Sequence, residues 1–123
     1  MLKNIKYQLI KIVVLQANDS VKFDADTDKM YKRVTGIHGS LPQDASILGS
    51  QIELKIADQE IFPEGFEFKL ITTNLSVSPN KRFYDKIDEE AQGNKIDGKF
   101  IDGGNAPAYP YTAKLYLRLE ERV

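Results

Sequence analysis

Within the stretch "SQIELKIAD" (residues 50–58), apolar side chains alternate with charged ones. The aliphatic residues fall on one side of an extended chain, while Glu53 and Lys55 fall on the other. Two further stretches repeat this period of two, "GFEFKLI" at 65–71 and "YTAKLYLRLEE" at 111–121. Three such stretches in a short chain predict antiparallel strands with one buried face and one solvated face.

The N-terminal stretch, "MLKNIKYQLIKIVVLQAND", predicts a long first strand whose apolar residues change parity midway. Ile5, Tyr7 and Leu9 share one parity, and the apolar residues from Ile10 to Val14 take the other. A shift of one residue moves every side chain of a strand to the opposite face. We therefore expect a bulge near Leu9–Ile10, or a strand that changes sheets there.

Turn residues separate the alternating stretches. Residues 57–60 can close a hairpin, Pro63 and Gly65 mark a turn, and Asp97-Gly98 is a favourable tight-hairpin dipeptide. Further strands are expected at 21–25, 30–37, 71–77 and 99–102. The stretch "FYDKIDEEAQG" (83–93) predicts at most a short helix ended by its glycine.

These elements predict the fold class. About seven or eight short strands with almost no helix indicate an all-β protein, an antiparallel β-sandwich formed as a single jelly roll. The same alternating strands fit a small closed barrel, which stays open as the alternative. A chain of 123 residues has the size of one domain. We therefore expect one sandwich over 1–123, with residues 1–8 as an extended N-terminal arm.

The composition argues against several classes of function. The 17 basic and 18 acidic residues nearly cancel, whereas nucleic-acid binding needs a dense positive field. Without cysteine, the chain has no disulfide, thiolate metal site or cysteine nucleophile. Lys11 interrupts the N-terminal apolar stretch, which is also shorter than the ~20 apolar residues of a membrane span. We therefore expect neither membrane insertion nor a cleaved signal, and synthesis in the cytoplasm.

Three aspartates at every second position look like the opening of a calcium-binding loop: Asp24, Asp26 and Asp28. An EF-hand loop needs glycine at its sixth position and a bidentate glutamate at its twelfth. Here those positions hold Lys29 and Thr35, and the surrounding pattern is β. We therefore predict no metal but a solvated turn, in which Lys29 and Arg33 soften the repulsion. A calcium site between the loops of a sandwich stays open as the alternative.

No residue pattern supports an active site, so we expect a protein that is not an enzyme and uses no cofactor. Ser78 and Lys81 match the S-x-x-K spacing of penicillin-recognising enzymes, but the partner motifs S-D-N and K-T-G are missing. His38 is the only histidine, and no serine or acid stands out as its partner. A surface or loop-packing role is expected for it.

Two aromatic loops are the candidate partner-binding sites. The loop "GGNAPAYPYT" combines flexible glycines with two restricting prolines, and it carries Tyr109 and Tyr111. Tyrosines on a stiffened loop can anchor a protein or a sugar at low entropic cost, or they can cap one end of the core. The loop "KRFYD" offers a similar mixture in Phe83 and Tyr84. We predict these four aromatic residues as partner contacts.

The stretch "DTDKMYKRVTGIHGSLPQDASILGSQIELKIADQEIFPEGFEFKLI" (26–71) resembles small single-jelly-roll capsid proteins in its strand spacing and loop style. The resemblance is to vertex (penton) subunits of tailless, icosahedral, membrane-containing bacteriophages, and it extends over 26–119. No catalytic or binding motif supports it, so no functional residue is carried over. It implies a non-enzymatic capsid protein of the virion, a homo-oligomeric ring, expected to be a pentamer, and neighbouring capsid proteins as partners.

A ligand-binding sandwich is the alternative function. A carbohydrate-binding or host-attachment module would use Tyr109 and Tyr111 as a platform and could hold calcium between its loops. The chain has no tryptophan, however, which is the commonest flat platform for sugar rings. We therefore expect a structural assembly protein first and an attachment module second.

Overall fold

Two antiparallel four-stranded sheets pack face to face in the computed structural model, which describes residues 5–42, 49–72 and 87–121. Within these residues the chain forms eight strands and a short 3-10 turn at Phe68–Ile71. The strands are β1 (Ile5–Val14), β2 (Ser20–Asp26), β3 (Arg33–Ser40), β4 (Gln51–Ile56), β5 (Gln59–Phe62), β6 (Glu89–Glu90), β7 (Lys95–Ile101) and β8 (Tyr111–Glu120). This architecture confirms the predicted all-β sandwich.

The order of the strands is that of a jelly roll. One sheet has the order β1-β8-β3-β6, and the other has the order β2-β7-β4-β5. The first strand pairs with the last, the second with the last but one, and so on inwards: β1 with β8, β2 with β7, β3 with β6 and β4 with β5. The chain is thus a long hairpin wound around one core, with two open sheets in place of a closed barrel.

The hydrophobic core lies between the two sheets. Removing apolar surface from water there stabilises the fold by about 25 cal/mol per Å². The largest fully buried side chains are Phe62, Phe68, Phe100, Ile12, Ile37, Ile52, Leu54, Ile56, Ile71, Ile96, Leu115 and Leu117. Both sheets and the 3-10 turn therefore contribute to a single core.

β1 keeps one unbroken register with β8 over its ten residues. The expected bulge near Leu9–Ile10 is therefore wrong. The aliphatic residues in the second half of β1 face the core, as the alternation predicts. In the first half, Ile5, Tyr7 and Leu9 point to solvent instead. The apolar residues change parity in the sequence because the first three lie on the outer face of the sheet, whereas those of the second half that face the core lie on the inner face.

Polar residues occupy the inward positions at the start of β1. Lys6 Nζ lies 2.5 Å from Asp28 Oδ2, and Gln8 Nε2 donates a hydrogen bond to the backbone oxygen of Asp26 at 2.9 Å. These contacts tie the first half of β1 to the connection between β2 and β3. Residues 5–8 of the expected N-terminal arm are thus part of the sheet, and the remainder of that arm lies outside the described residues.

The hairpin turn predicted at Asp97-Gly98 is wrong, because both residues lie inside β7. Gly98 faces the core between β2 and β4, where an added Cβ atom would lie 2.1 Å from the backbone oxygen of Glu53. The same atom would lie 2.8 Å from the ring of Phe23. Position 98 therefore holds glycine because any side chain there would collide with the ring of Phe23 and the backbone of β4, and not because the chain turns.

The strand predicted at 65–71 is wrong for most of its length. The chain makes only a single bridge there and then forms the 3-10 turn at Phe68–Ile71. Residues three apart share one side of a 3-10 turn, so both end residues are buried, whereas a strand would place them on opposite faces. The Phe68 ring packs against Gly39, where an added Cβ atom would lie 2.4 Å from it.

The hairpin predicted at 57–60 is confirmed. Ala57 and Asp58 have positive φ angles of 52° and 65°, as a two-residue hairpin turn requires, and β5 follows directly. The turn after Pro63 is also confirmed, because Phe66 N donates a hydrogen bond to Pro63 O at 3.1 Å. These two turns bound β5, which forms the edge of its sheet.

The remaining predictions are confirmed in part. The segment expected at 21–25 lies within β2, and the segment expected at 30–37 overlaps β3 only from Arg33 onwards. The segment expected at 99–102 is the end of β7 except for its last residue, which follows the strand. The strand expected at 71–77 lies mostly outside the described residues. The helix expected at 83–93 is wrong where the structure describes the chain, because that part holds β6 and a turn.

Replacing Gly98 with alanine tests the packing between β2 and β4. The new methyl group would collide with the backbone of Glu53, so we expect Gly98→Ala to lower the free energy of unfolding by about 3 kcal/mol. Gly65→Ala is the control, because that position has positive φ but open space, and a loss of only about 1 kcal/mol is expected. Urea unfolding measures both. Equal losses in the two variants would contradict the packing role of Gly98.

Candidate functional site

The solvent-facing side chains of β1 and β8 form a surface that we call the β1 face. It consists of Ile5, Tyr7, Leu9, Lys11 and Val13 from β1 with Thr112, Lys114, Tyr116 and Arg118 from β8. Tyr7, Leu9 and Val13 are 57%, 40% and 50% exposed. Large apolar side chains are thus presented to solvent along one edge strand of the sandwich.

The apolar surface continues across the sheet towards β3. Leu9 lies opposite Tyr116, which in turn lies opposite His38. The rings of His38 and Tyr116 are 6.2 Å apart between centroids. His38 is therefore a half-buried residue on the outer face of β3 that extends an aromatic row. This position agrees with the expected surface role and not with the alternative of packing within a loop.

Arg118 is fixed flat on this surface. Its Nε donates a hydrogen bond to Thr35 Oγ1 at 3.1 Å, and its Nη2 donates one to the Thr35 backbone oxygen at 2.8 Å. Gly36 makes room for the guanidinium group, because an added Cβ atom there would lie 3.1 Å from its central carbon. In the register of β1 and β8, Arg118 lies directly opposite Tyr7. The β1 face therefore has a positively charged guanidinium group that is held in place.

The β1 face also carries a pair of like charges. Lys11 lies directly opposite Lys114 in the register of β1 and β8. Like charges in this position repel each other and lower the stability of the sheet. In the parts of the chain that the structure describes, neither lysine forms an ion pair. The β1 face is therefore apolar and net positive.

The outer face of the opposite sheet has a different character. Lys22, Lys99 and Glu53 form one row across β2, β7 and β4. The next row contains Asp24, Asp97 and Lys55. Like charges lie directly opposite each other here too, in the pairs Lys22–Lys99 and Asp24–Asp97, but each row contains both signs and no large apolar side chain. Such a charged outer face is typical of a solvated surface. The concentration of exposed apolar residues on the β1 face is thus not a general property of this chain.

The three aspartates that suggested a calcium loop take separate positions. Asp24 and Asp26 lie on β2, and Asp28 lies in the connection that follows. Asp28 accepts a hydrogen bond from Met30 N at 2.9 Å and pairs with Lys6, which holds the pKa of its carboxyl below the ordinary value. Lys6 thus compensates Asp28. Within 5–42, 49–72 and 87–121, no three His, Cys, Asp or Glu residues are grouped to hold a metal ion.

The expected compensation by Arg33 is wrong, because this side chain points elsewhere. Arg33 Nε lies 2.8 Å from Asp88 Oδ1, and its Nη2 donates a hydrogen bond to the Asp88 backbone oxygen at 2.5 Å. Arg33 therefore joins β3 to the segment before β6.

Asp102 is the centre of a hydrogen-bond cluster at one end of the sandwich. It directly follows β7 and is 2% exposed. Its carboxylate accepts hydrogen bonds from Tyr109 OH at 2.6 Å, Tyr111 OH at 2.5 Å, Asn18 N at 3.0 Å and Gly104 N at 2.9 Å. The cluster therefore joins the turn after β1, the end of β7 and the start of β8.

The four hydrogen-bond donors keep the Asp102 carboxyl ionised. Burial by itself raises the pKa of its carboxyl, but the hydrogen bonds from two tyrosines and two backbone N–H groups together hold that pKa below the ordinary value. Burial and the bond to Asp102 raise the pKa of the Tyr111 hydroxyl, and the same carboxylate raises the pKa of the Tyr109 hydroxyl. At neutral pH the carboxylate is therefore charged and both phenols are protonated.

The tyrosines predicted as partner contacts lie together, with ring centroids 5.6 Å apart. Tyr111 is 8% exposed, and Tyr109 is half-buried against the core. Asp102 engages both hydroxyl groups, so the pair closes one end of the sandwich. Contact with a partner stays a prediction for Tyr109 and Tyr111, and Phe83 and Tyr84 lie outside the described residues.

Comparisons with protein families, with curated proteins and with solved structures found no match. The described part of the chain contains no helix that is long and apolar enough to cross a membrane. The function is therefore inferred from the surfaces of this chain itself.

Replacing Asp102 with asparagine tests the cluster. The change removes the charge that four donors stabilise, so we expect Asp102→Asn to lower the free energy of unfolding by about 2 kcal/mol or more at pH 7. Because the pKa of Asp102 is lower in the folded chain, its stabilisation is present above the pKa of an unfolded aspartate, about 4, and is lost below it. The difference between the proteins should therefore shrink as the pH falls below about 4.

Asp24→Asn is the matched control for Asp102→Asn. Asp24 is exposed on β2, so the same change should alter stability by less than about 0.5 kcal/mol. Chemical unfolding of the three proteins at pH 7 and at pH 3 gives the comparison. A constant difference between wild type and Asp102→Asn at both pH values would show that the carboxylate is not the stabilising group.

Proposed function

We propose that the protein is a non-enzymatic structural subunit that associates with copies of itself, and that it is a vertex subunit of a viral capsid. The observation that carries this proposal is the β1 face. Ile5, Tyr7 and Leu9 are exposed at successive outward positions of a strand whose fixed register prevents them from turning inward. Contiguous apolar patches on soluble proteins are commonly interaction sites.

The composition of the β1 face supports a protein partner. Tyrosine and arginine are enriched at protein interfaces, and anchored aromatic or arginine side chains contribute most of the binding energy. Here Tyr7 lies opposite Arg118 across the strand pair and Tyr116 is the next outward residue along β8, while the guanidinium of Arg118 is already held by Thr35. A partner that binds this surface would order few additional side chains, which reduces the entropic cost of association.

The position of β1 supports the same conclusion. Among the described strands it pairs with β8 alone, so it is an edge strand of the described sheet, and it is ten residues long. Long edge strands with apolar side chains invite pairing with other chains unless they are covered or charged. A neighbouring subunit that covers β1 would remove this risk in the assembled state.

The step from subunit to capsid rests on the fold and the resemblance. Jelly rolls form viral capsid proteins and lectins alike, so the fold alone does not separate them. A sugar platform would need accessible tyrosine rings, yet Tyr111 is buried and both tyrosine hydroxyls are bound by Asp102. The resemblance over 26–119 to capsid vertex subunits then favours a ring, expected to have five copies, within the virion.

Removing apolar side chains from the β1 face tests the proposal. Light scattering on a sizing column should give a discrete multiple of 13.9 kDa for the wild type, five above all. Tyr7→Ser combined with Leu9→Ser should weaken self-association by about 100-fold, because each side chain contributes roughly 1.5 kcal/mol of burial. Folding should persist, since neither side chain belongs to the core.

Lys22→Ser combined with Lys99→Ser is the control, because these residues form a cross-strand pair on the outer face of the opposite sheet. It should leave the native mass unchanged. A wild type that is monomeric across the accessible concentration range would overturn self-association, and loss of assembly in the control alone would place the interface elsewhere.

A further inference from the structure

We propose that the β1 face of one copy binds the acidic edge of the next copy, so that association runs head to tail. The acidic edge comprises Asp58, Glu60, Glu64 and Glu67 with Leu70, on and around β5. This inference rests on the proposed self-association and names the surface that would meet the β1 face. It commits to a second copy of this chain as the partner.

Charge argues against pairing of the β1 face with itself. A two-fold interface would bring Lys11, Lys114 and Arg118 of one copy against the same residues of the other. Lys11 and Lys114 already face each other across β1 and β8, and neither forms an ion pair among the described residues. Like charges brought together at an interface cost several kcal/mol. The partner surface must therefore be acidic as well as apolar.

The acidic edge meets both requirements. Its four carboxylates are all on exposed residues, and only Glu67 forms an ion pair in the described part of the chain, with Lys69 at 3.3 Å. Leu70 is 55% exposed beside them. Two exposed lysines lie among these carboxylates, Lys55 opposite Glu60 and Lys69 beside Glu67, so four negative and two positive charges leave the edge net negative. A net negative charge next to the apolar Leu70 is the complement of the β1 face.

The acidic edge is held rigidly by the fold. Phe62 and Phe66 stack at 4.2 Å between ring centroids beneath it, and Phe62 is buried in the core. The turns at Ala57–Asp58 and Pro63–Phe66 fix the two ends of β5. Preorganised charges of this kind reduce the cost of ordering on binding. β5 is also an edge strand, so a neighbour can approach it.

The two surfaces lie on opposite sides of the sandwich. β1 and β2 are the edge strands that meet on one side, and β6 and β5 are the edge strands at the other ends of the two sheets. An interface formed by two different surfaces of the same chain is heterologous, and it closes into a ring when the rotation between copies allows. The arrangement of charge is therefore that of a subunit with two distinct binding sides.

Charge reversal on each surface separately, and then on both, tests the inference. Lys11→Glu with Lys114→Glu is the face variant, and Glu60→Lys with Glu64→Lys is the edge variant. Asp58 is left unchanged because its φ is positive. Each variant should weaken self-association at least about tenfold, since it places like charges at the interface. The variant that carries all four substitutions should recover the association of the wild type.

The control for the face variant is Lys22→Glu with Lys99→Glu, which makes the same change of charge on the opposite sheet and should not alter the native mass. Circular dichroism and urea unfolding verify that every variant is folded. A wild type that never associates overturns the proposed function and this inference together. If the face variant disrupts the assembly and the edge variant does not, the β1 face is still an interface but the acidic edge is not its partner. If the variant with all four substitutions fails to associate, the head-to-tail arrangement is likewise overturned.

Discussion

The unbroken pairing of β1 with β8 determines which side chains of β1 face the core and which face solvent. Ile10 and Ile12 are held against Leu115 and Ala113 in the core, and the backbone hydrogen bonds extend from there without a bulge. Because side chains alternate strictly along a strand, burial of the second half fixes the first half as well. Tyr7 and its neighbours on that half are therefore directed to solvent by the same register that builds the core.

This constraint separates the two outer faces of the sandwich. The outer faces of β2, β7 and β4 present lysine and carboxylate side chains of both signs, which are typical of a solvated surface. The outer sides of β1 and β8 present apolar and cationic groups, whereas four exposed acidic residues lie on and around β5. The nearly neutral net charge of the chain does not reveal this difference between the two surfaces.

Much of the fold follows from the sequence because alternation is a local property. The stretch at 50–58 predicted β4 and its hairpin correctly, and the C-terminal stretch predicted β8. The errors share one cause, which is that local pattern does not reveal what lies across the sheet. Asp97-Gly98 is a favourable turn by sequence, yet Gly98 is required in β7 because the ring of Phe23 and the backbone of β4 occupy its side-chain space.

The candidate site was harder to predict. The parity change between Leu9 and Ile10 was visible in the sequence, but a bulge accounts for it equally well until the register with β8 is known. The role of Asp102 was not predicted, because one of its donors, Asn18, is 84 residues away and the loop that carries Tyr109 and Tyr111 gives no sign that their hydroxyl groups turn back to it. No short motif records such a cluster, since only the jelly-roll topology brings those segments together.

Self-association as proposed buries the β1 face between copies of the chain. Hydroxyl-radical footprinting of the wild type at low and high protein concentration tests this directly, because tyrosine oxidation reports the solvent exposure of its ring. Tyr7 is 57% exposed in the single chain, so it should be oxidised readily when dilute and become protected as the concentration rises. Oxidation of Tyr7 that stays equally fast when the protein is assembled would contradict the claim.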